Sequence, residues 1–175
     1  MSPRVILVGL PGTGKSTSGR RLAKVMCVDF ADSDELVEAA EGRDVRAIFA
    51  ESGEGEFRAA EHRAISSCLG GGFDGVLALG GGALTHEPTR TAIAGSGVVV
   101  AVLRAPLEVL LSRVGDAHTR PLLTADPATR LARLAEERQP LYDSVATLEV
   151  DTAARTPGQV AAHIAARLHA MGVLS

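Results

Sequence analysis

The stretch "VILVGLPGTGKST", Val5 to Thr17, sets a short apolar run directly before glycines that end in a lysine and two hydroxyls. Gly9, Gly14, Lys15 and Ser16 satisfy G-x-x-x-x-G-K-[ST], with a strand expected before the pattern and the helical stretch "KSTSGRRLAKVM" opening within it. Residues of these types at that spacing bind phosphate. The glycines let backbone N–H groups turn inward around the anion, Lys15 neutralises the outer phosphates, and the Ser16 hydroxyl can ligate Mg²⁺. Gly12, Thr13, Gly14, Lys15, Ser16 and Thr17 are thus the expected cradle of a nucleoside triphosphate, most simply ATP. The plainer alternative is a glycine-rich strand-to-helix turn. A dinucleotide fingerprint is a poorer fit, because the spacing is G-x-x-G-x-G and the lysine follows at once.

Further along lie the residues that must separate a kinase from a nucleotide switch. No N/T-K-x-D motif for guanine is present, and no Asp is followed three residues later by Gly, so phosphorylation of a small acceptor is the leading class. In "FADSDEL", Asp32 and Asp34 fall at the carboxyl end of a second expected strand, the edge on which open α/β sheets bind ligands. Asp32 would serve Mg²⁺ directly or through water, and Asp34 would accept a hydrogen bond from an acceptor hydroxyl. Asp32, Ser33 and Asp34 could instead simply cap and charge the N-terminus of the next helix. Gly80, Gly81 and Gly82 follow the third expected strand, where a bare backbone can touch substrate. The other triple glycine, Gly70 to Gly72, follows a helical pattern and reads as a helix C-cap and loop.

Arginines supply the remaining charge. Arg58 stands four residues after Glu54 and could be half of an exposed helical ion pair; Arg138, in "EERQPLY", could be an ordinary surface charge. Arg120 lies in a turn-rich, aperiodic segment with the character of a lid.

The elements that must position these groups alternate along the chain. Five β-branched runs (Arg4 to Gly9, Val28 to Ala31, Val76 to Leu79, Val98 to Leu103, Thr147 to Val150) are separated by amphipathic stretches, including the stripes Leu36, Val37, Ala40 and Val160, Ile164, Leu168, Met171. The fold class expected is α/β, a five-stranded parallel sheet flanked by helices on both faces. "GVVVAVLR" is apolar without alternation and belongs at or beside the sheet centre.

The 175 residues fit one domain, 1–175, with a formal net charge of −3 that gives no reason to expect nucleic acid or an anionic membrane as partner. No apolar run is long enough to span a membrane or to form a signal-peptide core, so a cytoplasmic protein is expected. Cys27 and Cys68 are far apart and read as buried apolar side chains, and the five histidines, scattered, as surface or partly buried.

Together, "GLPGTGKST", "DSD", "GEFR", "LGGGA", "RPLL" and "RQPLY" resemble, nearly end to end, the shikimate kinases, P-loop enzymes of the nucleoside-monophosphate-kinase structural type. The resemblance implies transfer of the ATP γ-phosphoryl group to the 3-hydroxyl of shikimate, with Mg²⁺, by a monomer. It also implies that Arg58 and Arg138 grip the substrate carboxylate, Asp34 the substrate hydroxyls, and Gly80 to Gly82 the substrate through backbone. Lys15, Asp34 and Arg120 would be catalytic, with Arg120 folding over the phosphates. Arg113 would stack on adenine with Pro157 near its other side, and Ser16 and Asp32 would serve the metal. Residues 33–61 would form the substrate-binding region and 113–126 the lid. Gluconate kinase, nucleoside-monophosphate kinase and a non-catalytic ATP-binding module share part of this pattern.

Overall fold

The computed structural model describes residues 4–114 and 126–174. Five strands, β1 (Val5–Val8), β2 (Asp29–Asp32), β3 (Gly75–Ala78), β4 (Val99–Arg104) and β5 (Leu148–Asp151), form one parallel sheet in the order β2-β3-β1-β4-β5. β1 is central and β4 lies beside it. Both are apolar on every residue but the last of β4, as strands covered on both faces must be.

Period-two alternation divides the strand side chains between two cores. Ile6, Val8, Leu77, Val100 and Val102 face one side with Ile65, Ile93, Leu110 and Leu131. Val5, Leu7, Val76, Ala78, Val99, Ala101 and Leu103 face the other, against Leu22 of α1 (Lys15–Met26) and the Val160, Ile164, Leu168 stripe of α7 (Pro157–Ala170). α7 ends one residue before Met171, which is its C-cap and exposed, so the expected stripe stops at Leu168.

A third, smaller core joins α2 (Ser33–Glu41) to α3 (Val45–Ser67) through Val37, Ile48, Phe57 and Ala60. Ala40, expected on this stripe, is exposed instead. α3 is bent at Gly53, whose φ of 80° no helix interior holds. Its C-terminal end widens into a π-helical turn, Cys68–Gly72, closed by Gly71 at φ 107°, where a cap and loop were expected. Cys68 is buried. Cys27, expected to be buried, is exposed because it occupies the left-handed C-cap of α1, with φ 54°. The remaining helices are α4 (Glu87–Gly95), α5 (Leu107–Val114) and α6 (Pro127–Asp143).

Candidate active site at the carboxyl edge of the sheet

The loop between β1 and α1 has its glycines where the backbone requires them: Gly9, Gly12 and Gly14 have φ of 154°, 86° and 82°. Gly14 is the N-cap of α1 and offers no side-chain acceptor, which leaves the first N–H groups of the helix available to an anion. Thr13 is buried and its hydroxyl donates to the Leu10 carbonyl, bracing the loop. Thr17 is exposed on the first turn of α1. Lys15 Nζ donates to the carbonyls of Gly9 at 2.7 Å and Leu10 at 3.2 Å, so the ammonium lies along the loop. Burial pushes its pKa down to about 8, against the attraction of Asp32 and Asp34.

Asp32 reconciles two readings of the sequence. Its Oδ1 accepts the Asp34 N–H at 3.0 Å and caps α2, while its Oδ2 accepts the Ser16 hydroxyl at 2.6 Å. The cap is therefore Asp32 alone, and Asp34 is free of that duty. Serine hydroxyl and carboxylate are both hard oxygen donors, placed together at the mouth of the phosphate loop, and they fit Mg²⁺. Among the described residues no cluster of three or more acidic, histidine or cysteine side chains could hold a metal ion.

Asp34 is packed against Gly80: a Cβ there would lie 2.6 Å from Asp34 Oδ1 and 2.7 Å from Glu61 Oε1. Burial, with Glu61 and Asp32 close by, raises the Asp34 pKa to about 6, while Arg58 and Lys15 pull it down.

Arg58 is no exposed helical pair. Its side chain is 11% accessible, and although Glu54 stands 3.4 Å away, the tighter partner is the buried Glu61, at 2.6 Å. Glu61 also accepts the Ser33 hydroxyl at 2.7 Å, and Ser33 in turn accepts the Gly80 N–H at 2.8 Å. Arg138, from α6, reaches the same loop. A Cβ on Gly81 would lie 3.1 Å from its Nη1, and one on Gly82 would be built into the Arg58 guanidinium and 3.4 Å from Arg138 Nη2. The glycines keep the loop bare where side-chain ends converge: a Cβ on Gly80 or Gly82 would fall on the ends of Asp34, Glu61 and Arg58, and one on Gly81 would be tight against Arg138. Arg58 Nε and Arg138 Nε are both buried without a hydrogen-bond partner. Two guanidinium groups thus converge on one bare loop, and a guanidinium's planar fork matches the geometry of a carboxylate.

On the other flank of the phosphate loop, Arg113 lies in the last turn of α5. Its guanidinium donates to the Gly12 carbonyl at 3.2 Å, to the Thr152 hydroxyl at 3.1 Å and to the Thr152 carbonyl at 2.8 Å. Pro157 is the first residue of α7, after the same β5–α7 connection. Of the expected lid, residue 113 belongs to α5 and Asp126 is the N-cap of α6; Arg120 lies outside the described residues.

Glu61 and Tyr142 are site-building residues that the sequence reading passed over, and Ser33 one that it read only as part of a helix cap. Glu61 had a signal, since it sits between Phe57 and Ile65 on the buried stripe of α3, where a lone carboxylate demands a partner. His62 and His86 are likewise partly buried, with both Nδ1 atoms on the buried Thr89 hydroxyl, at 3.2 and 3.1 Å.

A family model described as shikimate kinase matches residues 11–169. The shikimate kinase of Mycobacterium avium (strain 104) is 46% identical over 171 residues, 97% of this chain and 96% of that one. That of Mycobacterium tuberculosis (strain CDC 1551 / Oshkosh) is 47% identical over 169 residues, 96% of this chain and 94% of the relative. Among solved structures, a shikimate kinase from Acinetobacter baumannii in complex with shikimate superposes with a TM-score of 0.88 at 33% identity, covering 98% of this chain and 95% of that one. A gluconokinase from Sinorhizobium meliloti 1021, at 18% identity and a TM-score of 0.62 over 95% and 91%, shares the fold.

Proposed function

The chain belongs to the shikimate kinase family and phosphorylates shikimate with ATP, and from that premise we propose how its residues divide the work. Arg58 and Arg138 hold the substrate carboxylate against Gly80, Gly81 and Gly82, and Asp34 accepts the proton of the 3-hydroxyl as its oxygen attacks the γ-phosphorus. The new bond joins that oxygen to phosphorus, and the bond from phosphorus to the ADP oxygen breaks. Lys15 lies along the outer phosphates. The loop amides from Gly12 to Thr17 cradle them, and Arg113 with Pro157 flanks the base.

Ser16 and Asp32 would hold Mg²⁺, which when bound offsets the charge that develops on the transferring group. Residues 33–61, with their own small core in α2 and α3, form the acceptor half of the site and close over the substrate to exclude water. The enzyme is read as a monomer. No helix of the described residues is long and apolar enough to cross a membrane, and a cytoplasmic setting suits a kinase that draws on ATP.

The observation that carries the assignment of the acceptor site is the convergence of the Arg58 and Arg138 guanidinium groups on the bare backbone of Gly81 and Gly82. The test is a coupled ADP-release assay with shikimate, gluconate and nucleoside monophosphates in parallel. Turnover with shikimate alone is expected. Comparable turnover with gluconate or a nucleotide would overturn the assignment of the arginines.

A further inference from the structure

Tyr142 ends the "RQPLY" segment one turn after Arg138, and its hydroxyl donates to the Gly81 carbonyl at 2.6 Å. Its ring is 3% exposed and packs in the core under the site. Between the two residues, Pro140 has no N–H to give to the Glu136 carbonyl, so the backbone bond that would stiffen this turn of α6 is missing. The end of the helix therefore needs a tether from elsewhere.

The glycine loop supplies it and is itself tied on both sides. Gly80 N–H is tied through Ser33 and Glu61 to Arg58, and Gly81 carbonyl is tied through Tyr142 to the turn that carries Arg138. The Arg138 and Arg58 charges both reach the phenol, pulling its pKa down against the burial that pushes it up to about 12.

We propose that Tyr142 is a positioning residue for the acceptor: its bond to Gly81 keys the C-terminal turn of α6 to the glycine loop and so sets Arg138 in register with Arg58. This rests on the reading of the two arginines as the carboxylate grip. The hydroxyl touches no reacting atom, so its effect falls on acceptor binding and leaves the nucleotide alone.

Removing only the hydroxyl, as Tyr142→Phe, should raise the KM for shikimate by roughly three- to tenfold, the scale of one buried hydrogen bond, with kcat and the KM for ATP within about twofold. In an Arg138→Ala background the same change should add less than about twofold, because the tyrosine acts through the arginine. An ordinary core tyrosine would lower thermal stability in Tyr142→Phe and leave the KM for shikimate where it was, which would overturn the proposal. Full additivity with Arg138→Ala would also overturn it. An unchanged KM in Arg138→Ala alone would instead bring down the carboxylate-grip reading, and this one with it.

The unmodified enzyme gives a test that no folding defect can obscure. The chain has one tyrosine and no tryptophan, so its ultraviolet emission is that of Tyr142. Titration with shikimate should change that emission saturably, at the concentrations at which calorimetry shows binding. Calorimetric binding with no change in emission would overturn the link.

Discussion

At Asp34, burial beside Glu61 and Asp32 disfavours the very charge that a proton acceptor must carry. A carboxyl raised from 3.8 to about 6 favours the folded state while protonated, and that stability is lost as the pH climbs through 6. Two outcomes follow for Asp34→Asn. Above pH 7 its thermal midpoint should match or exceed that of the unmodified protein, since Asp32 keeps the cap of α2. Its single-turnover phosphorylation of shikimate should fall by about 10²–10⁴, the usual loss of a positioned base. A rate within about threefold of the original would reduce Asp34 to a hydrogen-bond partner. In the unmodified enzyme, kcat/KM should fall on the acid side near pH 6, where Asp34 takes up its proton. On the basic side kcat/KM for ATP should fall near pH 8, where the free enzyme's Lys15 loses its charge. Lys15→Met should remove the basic limb along with nearly all turnover and leave the thermal midpoint close to its original value. The phosphate-loop motif made Lys15 legible in the sequence, and a place at the carboxyl edge of the sheet near that loop made Asp32 and Asp34 so. Ser33 was not, because its task depends on meeting Glu61, 28 residues away, and Gly80, 47 residues away.

At the scale of elements, the strands could be read to within about a residue at each end: burial on both faces leaves β1, β3 and β4 as apolar runs, and the edge strand β5 alternates buried and exposed residues. The glycine loop after β3 could be placed on the ligand edge for the same reason. What could not be read was what crowds its glycines: the side-chain ends that a Cβ would meet come from α2, α3 and α6. Gly82→Ala tests this. Its methyl group would occupy the place of an Arg58 guanidinium nitrogen, so the end of that side chain would have to shift from its position on the loop beside Glu61. The expected result is a fall in kcat/KM for shikimate of about 10²-fold, the cost of misplacing a substrate-holding group by about an ångström, with the KM for ATP little changed. An equal loss toward both substrates would mean that the loop itself had shifted. Replacing Gly53, at the bend of α3, is a different case, because nothing lies near the position and φ 80° alone argues against a side chain.

Over the whole molecule, the sheet separates what holds the fold from what does the chemistry. One core lies beneath the helices that carry Arg58 and Arg138, and the other joins α1 and α7 to the opposite face. The order β2-β3-β1-β4-β5 brings the carboxyl ends of β1, β2 and β3 together, so the phosphate loop, the Asp32–Asp34 pair and the glycine loop meet at one edge although they are spread over some 70 residues of sequence. Alternation of strands and helices implied that sheet; it could not say that α3 would place a buried carboxylate behind an arginine. Ile164, fully buried on α7, belongs to the core away from the acceptor site. Ile164→Ala should cost about 2–5 kcal/mol, as large-to-small changes in a packed core do. For a chain of this size each kcal/mol moves the thermal midpoint by about 2–4 °C, so the loss should be plain in a melting curve. If the two faces are energetically separate, the KM for shikimate, measured well below the new midpoint, should stay within about twofold, the non-additive coupling expected of sites with no shared partners being small. A rise in that KM comparable to the effect of Tyr142→Phe would show that α7 packing reaches through the sheet to the arginines, and the acceptor site would then depend on both cores.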